Sequence, residues 1–349
     1  MTGAAFDVVP VNVLTGFLGS GKTTLLRRLL ASGLSTETAV LINEFGEVGI
    51  DHLLVGEIAP EAVLLKSGCV CCSIRGELKD AFIRLFSRRQ KGEVPPFRRV
   101  MVETTGLADP APIVATLLAD PVLRHHFKLG LVVTVVDCIN ADLQRQMHPV
   151  WAAQVAAADR LIVSKADLAG EERCARLRHS LAEMNPAAPI ALAADIGSGD
   201  DLLLGAGLHG PVPHAEVKRW INLPRRRALQ VLGDEESRDP SLSREQNAHD
   251  DVASFCLVFE TQIDWTGFGL WLSMLLNRHG ANILRVKGIL NIAQASYPVA
   301  VHGVQHLVHP PVHLKEWPNA DRRSRIVFIV RGLEQQWIER SFAVFSGGL

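Results

Sequence analysis

The segment Gly16-Phe-Leu-Gly-Ser-Gly21-Lys22-Thr23 constrains this chain more than any other. It follows the apolar run Val11–Leu14 and opens the stretch Lys22-Thr-Thr-Leu-Leu-Arg-Arg-Leu-Leu, so it is predicted to be a loop between a strand and a helix. Glycines allow successive backbone N–H groups to turn inward around phosphate oxygens, and the helix N-terminus adds the positive end of its dipole. On this reading Gly16, Gly19, Ser20, Gly21 and Thr24 line a phosphate cradle. Lys22 reaches the β- and γ-phosphates, and the Thr23 hydroxyl ligates Mg²⁺. A P-loop of this kind requires an α/β domain with a mainly parallel sheet. The first 200 or so residues read that way, with short apolar runs alternating with longer helix-like stretches.

Strands are predicted at Val8–Leu14, Ala39–Ile42, Ala62–Leu65, Val100–Glu103, Leu131–Val136, Leu161–Val163 and Ile190–Ala193. Helices are expected to begin near Lys22, Ser73, Pro110, Ala141 and Gly170, with Ser73 as an N-cap and Pro110 in a first turn. Between about residues 206 and 250 the character changes. Pro211 and Pro213 precede a basic patch, and the acidic, polar run 233–250 cannot bury enough apolar surface to order itself. A compact pattern then resumes: strands at Val252–Phe259, Leu284–Ala293, Tyr297–Val301 and Ile326–Val330, and helices at Trp265–Leu276 and Gln335–Phe345. The expected organisation is a P-loop domain over 1–205, a junction with a polar loop over 206–250, and a smaller α+β domain over 251–349.

Two further segments complete the nucleotide reading. Val100-Met-Val-Glu103-Thr-Thr-Gly106 is a strand that ends in an acid, with a glycine three residues on. Glu103 is the candidate carboxylate facing Mg²⁺, and Gly106 a γ-phosphate contact through its backbone N–H. Ser164-Lys165-Ala166-Asp167 ends another strand and fits a guanine motif with Ser in place of Asn. The Asp167 carboxylate would accept from guanine N1–H and the 2-amino group, neither of which adenine offers, while the Lys165 stem would lie against the base. The expected substrate is therefore GTP and the expected reaction its hydrolysis. A P-loop kinase acting on a small molecule is the rival that the guanine motif disfavours.

Cys69, Cys71 and Cys72 fall after the predicted strand Ala62–Leu65 and at the start of a predicted helix. Thiolates at a helix N-terminus are favoured by the dipole, and three of them suit Zn²⁺ or Cu(I) while leaving one tetrahedral position open for exchange. Buried apolar cysteines or a redox pair are the other readings of this cluster. Cys138, Cys174 and Cys256 are read as isolated core or surface residues. Glu44, Glu47 and Asp51 lie in the position of the first nucleotide-responsive loop, where they could touch Mg²⁺, orient water or complete the metal shell. His302, His306, His309 and His313 have spacings that suit one helical face, but Pro310 and Pro311 break any helix there.

Taken together these residues resemble the CobW family of G3E P-loop GTPases, of the zinc-regulated GTPase metalloprotein activator or zinc chaperone type. The resemblance is carried by Thr15-Gly-Phe-Leu-Gly-Ser-Gly-Lys-Thr-Thr-Leu-Leu26, Asn43-Glu-Phe-Gly-Glu47, Gly68-Cys-Val-Cys-Cys72, Glu103-Thr-Thr-Gly-Leu-Ala-Asp-Pro110, Arg285-Val-Lys-Gly-Ile-Leu290 and Val301-His-Gly-Val304. It implies GTP hydrolysis with Mg²⁺ and delivery of zinc, or alternatively cobalt for cobalamin biosynthesis, from Cys69, Cys71 and Cys72 to a client metalloprotein. A regulator that senses nucleotide and metal without transferring the ion is the non-enzymatic alternative. His209 and His214 stand near the start of the junction, where some relatives carry a histidine-rich stretch.

The 36 basic residues nearly balance the 37 acidic ones, so no global field points to nucleic acid or an anionic membrane. The N-terminal residues lack the basic and apolar regions of a signal peptide, and the most apolar run, around Leu129 to Val136, is too short to span a bilayer. A clustered set of thiols suits a reducing compartment, so a cytoplasmic protein is expected, with room for self-association.

Overall fold

The computed structural model describes residues 8–31, 37–42, 74–197, 252–317 and 319–346. The expected strand Ala62–Leu65, the helix cap Ser73, the loop at Asn43–Asp51, the thiols Cys69, Cys71 and Cys72, and the junction over 206–250 lie outside the described residues. The chain divides into two compact units, one around a parallel sheet and one around an antiparallel sheet.

The first unit, to which residues 145–152 and 183–187 do not belong, takes up most of the elements β1 (Val9–Thr15), α1 (Lys22–Ala31), β2 (Thr38–Ile42), α2 (Ile74–Gln90), β3 (Arg99–Glu103), α3 (Ala111–Ala119), α4 (Pro121–His126), β4 (Phe127–Asp137), α5 (Ala141–Met147), α6 (Pro149–Ala157), β5 (Arg160–Ser164), α7 (Ala166–Ala169), α8 (Glu171–Met184) and β6 (Ile190–Leu192), in that order. The strands lie in the order β2-β3-β1-β4-β5-β6, and every pair is parallel. Because β1 is flanked by β3 on one side and β4 on the other, its C-terminal end opens at the point where the winding reverses. That is where open α/β sheets bind ligands. β1, β3, β4 and β5 are buried along nearly their whole length, as expected of strands covered on both faces.

α1 seals one face through Leu25, Leu26, Leu29 and Leu30, all at most 4% exposed and packed on Leu14, Val40, Ile42, Met101 and Val133. Each such side chain contributes about 1.5–3 kcal/mol of burial, enough to seat the helix firmly behind the loop that precedes it. One polar residue interrupts the central strand. Asn12 is fully buried, and its Oδ1 accepts from Leu131 N at 2.7 Å beside a register shift between β1 and β4. Gly130 makes this possible, since a Cβ there would sit 2.0 Å from that oxygen.

The second unit comprises β7 (Val252–Phe259), α9 (Trp265–His279), β8 (Ile283–Leu290), β9 (Val299–Val304), β10 (Leu307–Val308), β11 (Val312–His313), β12 (Ser324–Arg331) and α10 (Gln335–Ser346). Its strands run β10-β9-β8-β12-β7, antiparallel, with β11 also on β9. Asp264 caps α9 by accepting from Gly267 N at 2.6 Å. Phe268, Trp271, Leu272, Leu275 and Leu276 follow at helical spacing and pack with Phe328, Ile338 and Phe342 into one core. The α/β P-loop architecture and the smaller α+β domain therefore stand as read from the sequence, although the short elements α4, α6, α7, β10 and β11 had no counterpart there. Among the described residues no helix is long and apolar enough to cross a membrane.

Candidate functional site

The loop from Gly16 to Gly21 leaves the end of β1 with three glycines at positive φ: Gly16 at 139°, Gly19 at 68° and Gly21 at 91°. Gly16 has a second reason to lack a side chain, because a Cβ would lie 2.2 Å from the carbonyl oxygen of Val135 on β4. Lys22 opens α1 and is only 8% exposed. Its Nζ donates to the carbonyls of Gly16 at 2.9 Å and Phe17 at 3.1 Å, so the ammonium is held over the loop.

Beside it, Thr23 Oγ1 donates to Glu103 Oε1 at 2.6 Å. Glu103 ends β3 and is 4% exposed. A hydroxyl from the first turn of α1 and a buried carboxylate from the end of β3 are the oxygen donors that Mg²⁺ takes alongside phosphate and water. The loop after β3 is tied to β1: Thr104 N donates to Leu14 O at 2.9 Å, and Thr104 Oγ1 donates to Thr15 Oγ1 at 2.8 Å. Gly106 then approaches the glycine-rich loop so closely that a Cβ would be 2.5 Å from Leu18 N.

A phosphate group fits what these residues leave unsatisfied. The hydroxyls of Ser20 and Thr105 are shielded from solvent and have no hydrogen-bond partner among the described residues. Both belong to the loops that converge around Lys22. Buried hydroxyls without a partner are costly, and an anionic ligand with many acceptor oxygens would repay them.

On the far side, Ser164 ends β5, and its Oγ donates to Ser20 O at 2.6 Å. The residue that replaces the usual Asn thus ties the end of β5 directly to the phosphate loop. Lys165 takes the left-handed conformation at φ 55°, and its Nζ lies 2.7 Å from Asp137 Oδ2 at the end of β4. Burial pushes the Asp137 carboxyl up, but hydrogen bonds from Lys165, Asn140 and the Ile139 N–H outweigh it and hold the pKa below the usual carboxylate range. Asp167 follows in α7 with an exposed side chain.

Three features of the site were not read from the sequence. Asp137 anchors Lys165. Its signal was an acid at the end of an apolar strand, the same signal that singled out Glu103. Gln154 in α6 donates from Nε2 to Gly106 O at 3.1 Å and Ala108 O at 3.0 Å. A lone amide in the apolar run Pro149-Val-Trp-Ala-Ala-Gln-Val-Ala-Ala was the available hint, since such a group must find partners when buried. The third is a correction. Cys138 and Cys174 are not isolated but lie side by side, and burial first, then the neighbouring Cys174, pushes the Cys138 thiol up to about 11.

The histidines of the second unit do not share a helix. His302 lies in β9, His306 in the turn after it, His309 beyond β10 and His313 in β11. The rings of His302 and His309 are buried 6.0 Å apart, and His306 Nδ1 is 2.9 Å from Leu276 O. Among the described residues no three His, Cys, Asp or Glu side chains come together in a way that could hold a metal ion.

Comparison with known proteins agrees with this geometry over both units. The family model for the CobW/HypB/UreG nucleotide-binding domain matches residues 10–191, and that for the cobalamin synthesis protein cobW C-terminal domain matches residues 252–346. The chain is 31% identical over 335 residues to the zinc chaperone YjiA of Escherichia coli strain K12, covering 96% of this chain and 98% of that one. It is 35% identical over 206 residues to zinc-regulated GTPase metalloprotein activator 1 of Schizosaccharomyces pombe, covering 57% of this chain and 49% of the relative. The crystal structure of the Zn(II)-bound YjiA GTPase from Escherichia coli is similar with a TM-score of 0.68 at 27% identity, covering 97% of this chain and 99% of that one. The chain belongs to the CobW/HypB/UreG family of nucleotide-binding proteins and carries the CobW-type C-terminal domain.

Proposed function

We propose that this chain, a GTPase, is a cytoplasmic zinc chaperone that couples GTP hydrolysis to passing the ion to a client metalloprotein. The observation that carries the reading is the match to a zinc chaperone along 96% of the chain, which spans both units rather than the nucleotide domain alone.

The division of labour follows from the chemistry of the side chains. Gly16, Gly19, Ser20, Gly21 and Thr24 cradle the phosphates, with Lys22 turning from the Gly16 and Phe17 carbonyls to the β- and γ-phosphates. Thr23 and Glu103 hold Mg²⁺, which when bound neutralises charge on the phosphates. Gly106 offers its N–H toward the γ-phosphate. Ser164, Lys165 and Asp167 form the guanine side, with Ser164 linking it to the phosphate loop and Asp167 accepting from the base. Cys69, Cys71 and Cys72 hold zinc as cargo, three thiolates with one position left for exchange.

The test is metal analysis of protein purified under reducing conditions, wild type against Cys71→Ala. The expected result is about one tightly held zinc per chain in the wild type and loss of that zinc in the variant, with GTP hydrolysis retained. Wild-type zinc affinity in the Cys71→Ala protein would contradict the assignment of the thiolates. A variant that loses zinc while a client is loaded unimpaired would favour the regulator that transfers no metal.

A further inference from the structure

We propose that Gln154 is a positioning residue for GTP hydrolysis, acting through the backbone of the loop after β3. The proposal rests on the reading of Gly106 as the γ-phosphate contact and extends it to a helix outside every phosphate and base motif.

Gln154 is 1% exposed, and its side-chain amide faces the loop that runs from Thr104 to Pro110. An NH₂ group has two protons to donate, and here both are used, on Gly106 O at 3.1 Å and Ala108 O at 3.0 Å. Between these carbonyls the chain closes a turn in which Ala108 N donates to Thr105 O at 3.1 Å. The main-chain oxygen of Gln154 is itself held, accepting from Thr134 Oγ1 of β4 at 2.7 Å. Thr134 stands opposite Thr15 in the β1–β4 register, and Thr15 Oγ1 accepts from Thr104 Oγ1. The loop is therefore secured from β1 at its start and, through Gln154, from β4 at its middle.

This matters because of what Gly106 is. A glycine fits where the loop presses against Leu18 N, yet it has no side chain to fix its own dihedrals. A backbone N–H stabilises developing charge only if it is aimed before the reaction begins. The amide of Gln154 removes the freedom that the glycine introduces, without touching the nucleotide. A buried amide that merely satisfied two carbonyls would stabilise the fold but would not discriminate between GTP and GDP.

The experiment compares wild type, Gln154→Met, Gln154→Glu and Gly106→Ala for kcat, for affinity toward GDP and a non-hydrolysable GTP analogue, and for thermal stability. Methionine keeps the length and volume of the side chain and deletes both donors. The expected result is a kcat for Gln154→Met lowered roughly 10- to 100-fold and analogue affinity lowered, with GDP affinity within about twofold of wild type. Glutamate presents a carboxylate to two carbonyl oxygens, and only its protonated form restores one donor. The Gln154→Glu kcat relative to wild type should therefore rise as pH falls from about 8 to about 6, because burial beside carbonyl oxygens raises a carboxyl pKa. That pH profile keeps the proposal testable even if the methionine variant does not fold. A Gln154→Met kcat within about twofold of wild type, or GDP and analogue affinities falling together, overturns the proposal. If Gly106→Ala is impaired and Gln154→Met is not, Gln154 alone is wrong; if neither is impaired, the reading of Gly106 falls with it.

Discussion

In the parallel sheet four buried polar residues stand at the ends of neighbouring strands, whereas in the antiparallel sheet Arg285, Lys287 and His302 lie within the strands. Thr15, Glu103, Asp137 and Ser164 are the last residues of β1, β3, β4 and β5, and all are buried. Arg285, Lys287 and His302 lie within β8 and β9, with Lys287 directly opposite His302 and with core residues such as Val286 alternating between them. The difference follows from strand direction. Parallel strands all present their C-terminal ends on the same side, so four short side chains converge on one crevice with no further device. Antiparallel strands alternate, so a face can collect charge but an edge cannot collect strand ends. The first sheet is thus suited to assembling a reaction site, and the second to holding a rigid body on a packed core.

The largest effect expected from this comparison is in the second unit. Trp271 is 1% exposed, donates from Nε1 to Ser341 Oγ at 2.9 Å, and packs edge-on against Phe342 at 4.9 Å. Trp271→Ala should cost that unit about 3–5 kcal/mol and lower its unfolding temperature in calorimetry. Affinity for a fluorescent GTP analogue should stay near wild type, since every phosphate and base motif precedes β7. A parallel loss of nucleotide affinity would break the separation of roles between the two sheets.

A smaller effect is expected at the edge of the first sheet. Asp167→Asn replaces a charged acceptor with an amide that can donate, so GTP affinity should fall about 10- to 100-fold. Xanthosine triphosphate, which carries a 2-oxo group, should bind better than before. Calorimetric titration of both nucleotides decides the matter, and unchanged GTP affinity would remove Asp167 from the guanine site.

The same contrast explains what could be read from the sequence. The phosphate loop was legible because its glycines are demanded locally: three positive φ angles within six residues admit few alternatives. Glu103 was legible as an acid closing an apolar strand, and α9 through its cap and its apolar spacing. Gln154 was not, because its partner Gly106 is 48 residues away and nothing near Gln154 in the chain records the contact. The Lys165–Asp137 pair, 28 residues apart, was hidden in the same way. Lys165 was assigned by its motif to the base, and only the folded chain shows Asp137 as its anchor. Cys138 and Cys174 read as isolated for the same reason, and their contact emerges only once the end of β4 meets α8.

A chaperone cycle requires nucleotide state and zinc to be coupled, which zinc affinity measured by competitive chelator titration with a GTP analogue and with GDP tests directly. Coupling between two sites is typically about 1–3 kcal/mol, so zinc affinities should differ roughly 5- to 150-fold between the two states. Reciprocity requires zinc to change the relative affinity for GTP and GDP by the same factor, and Cys71→Ala to abolish that linkage while nucleotide still binds. Equal zinc affinity in the two states would contradict the chaperone cycle and leave only the GTPase.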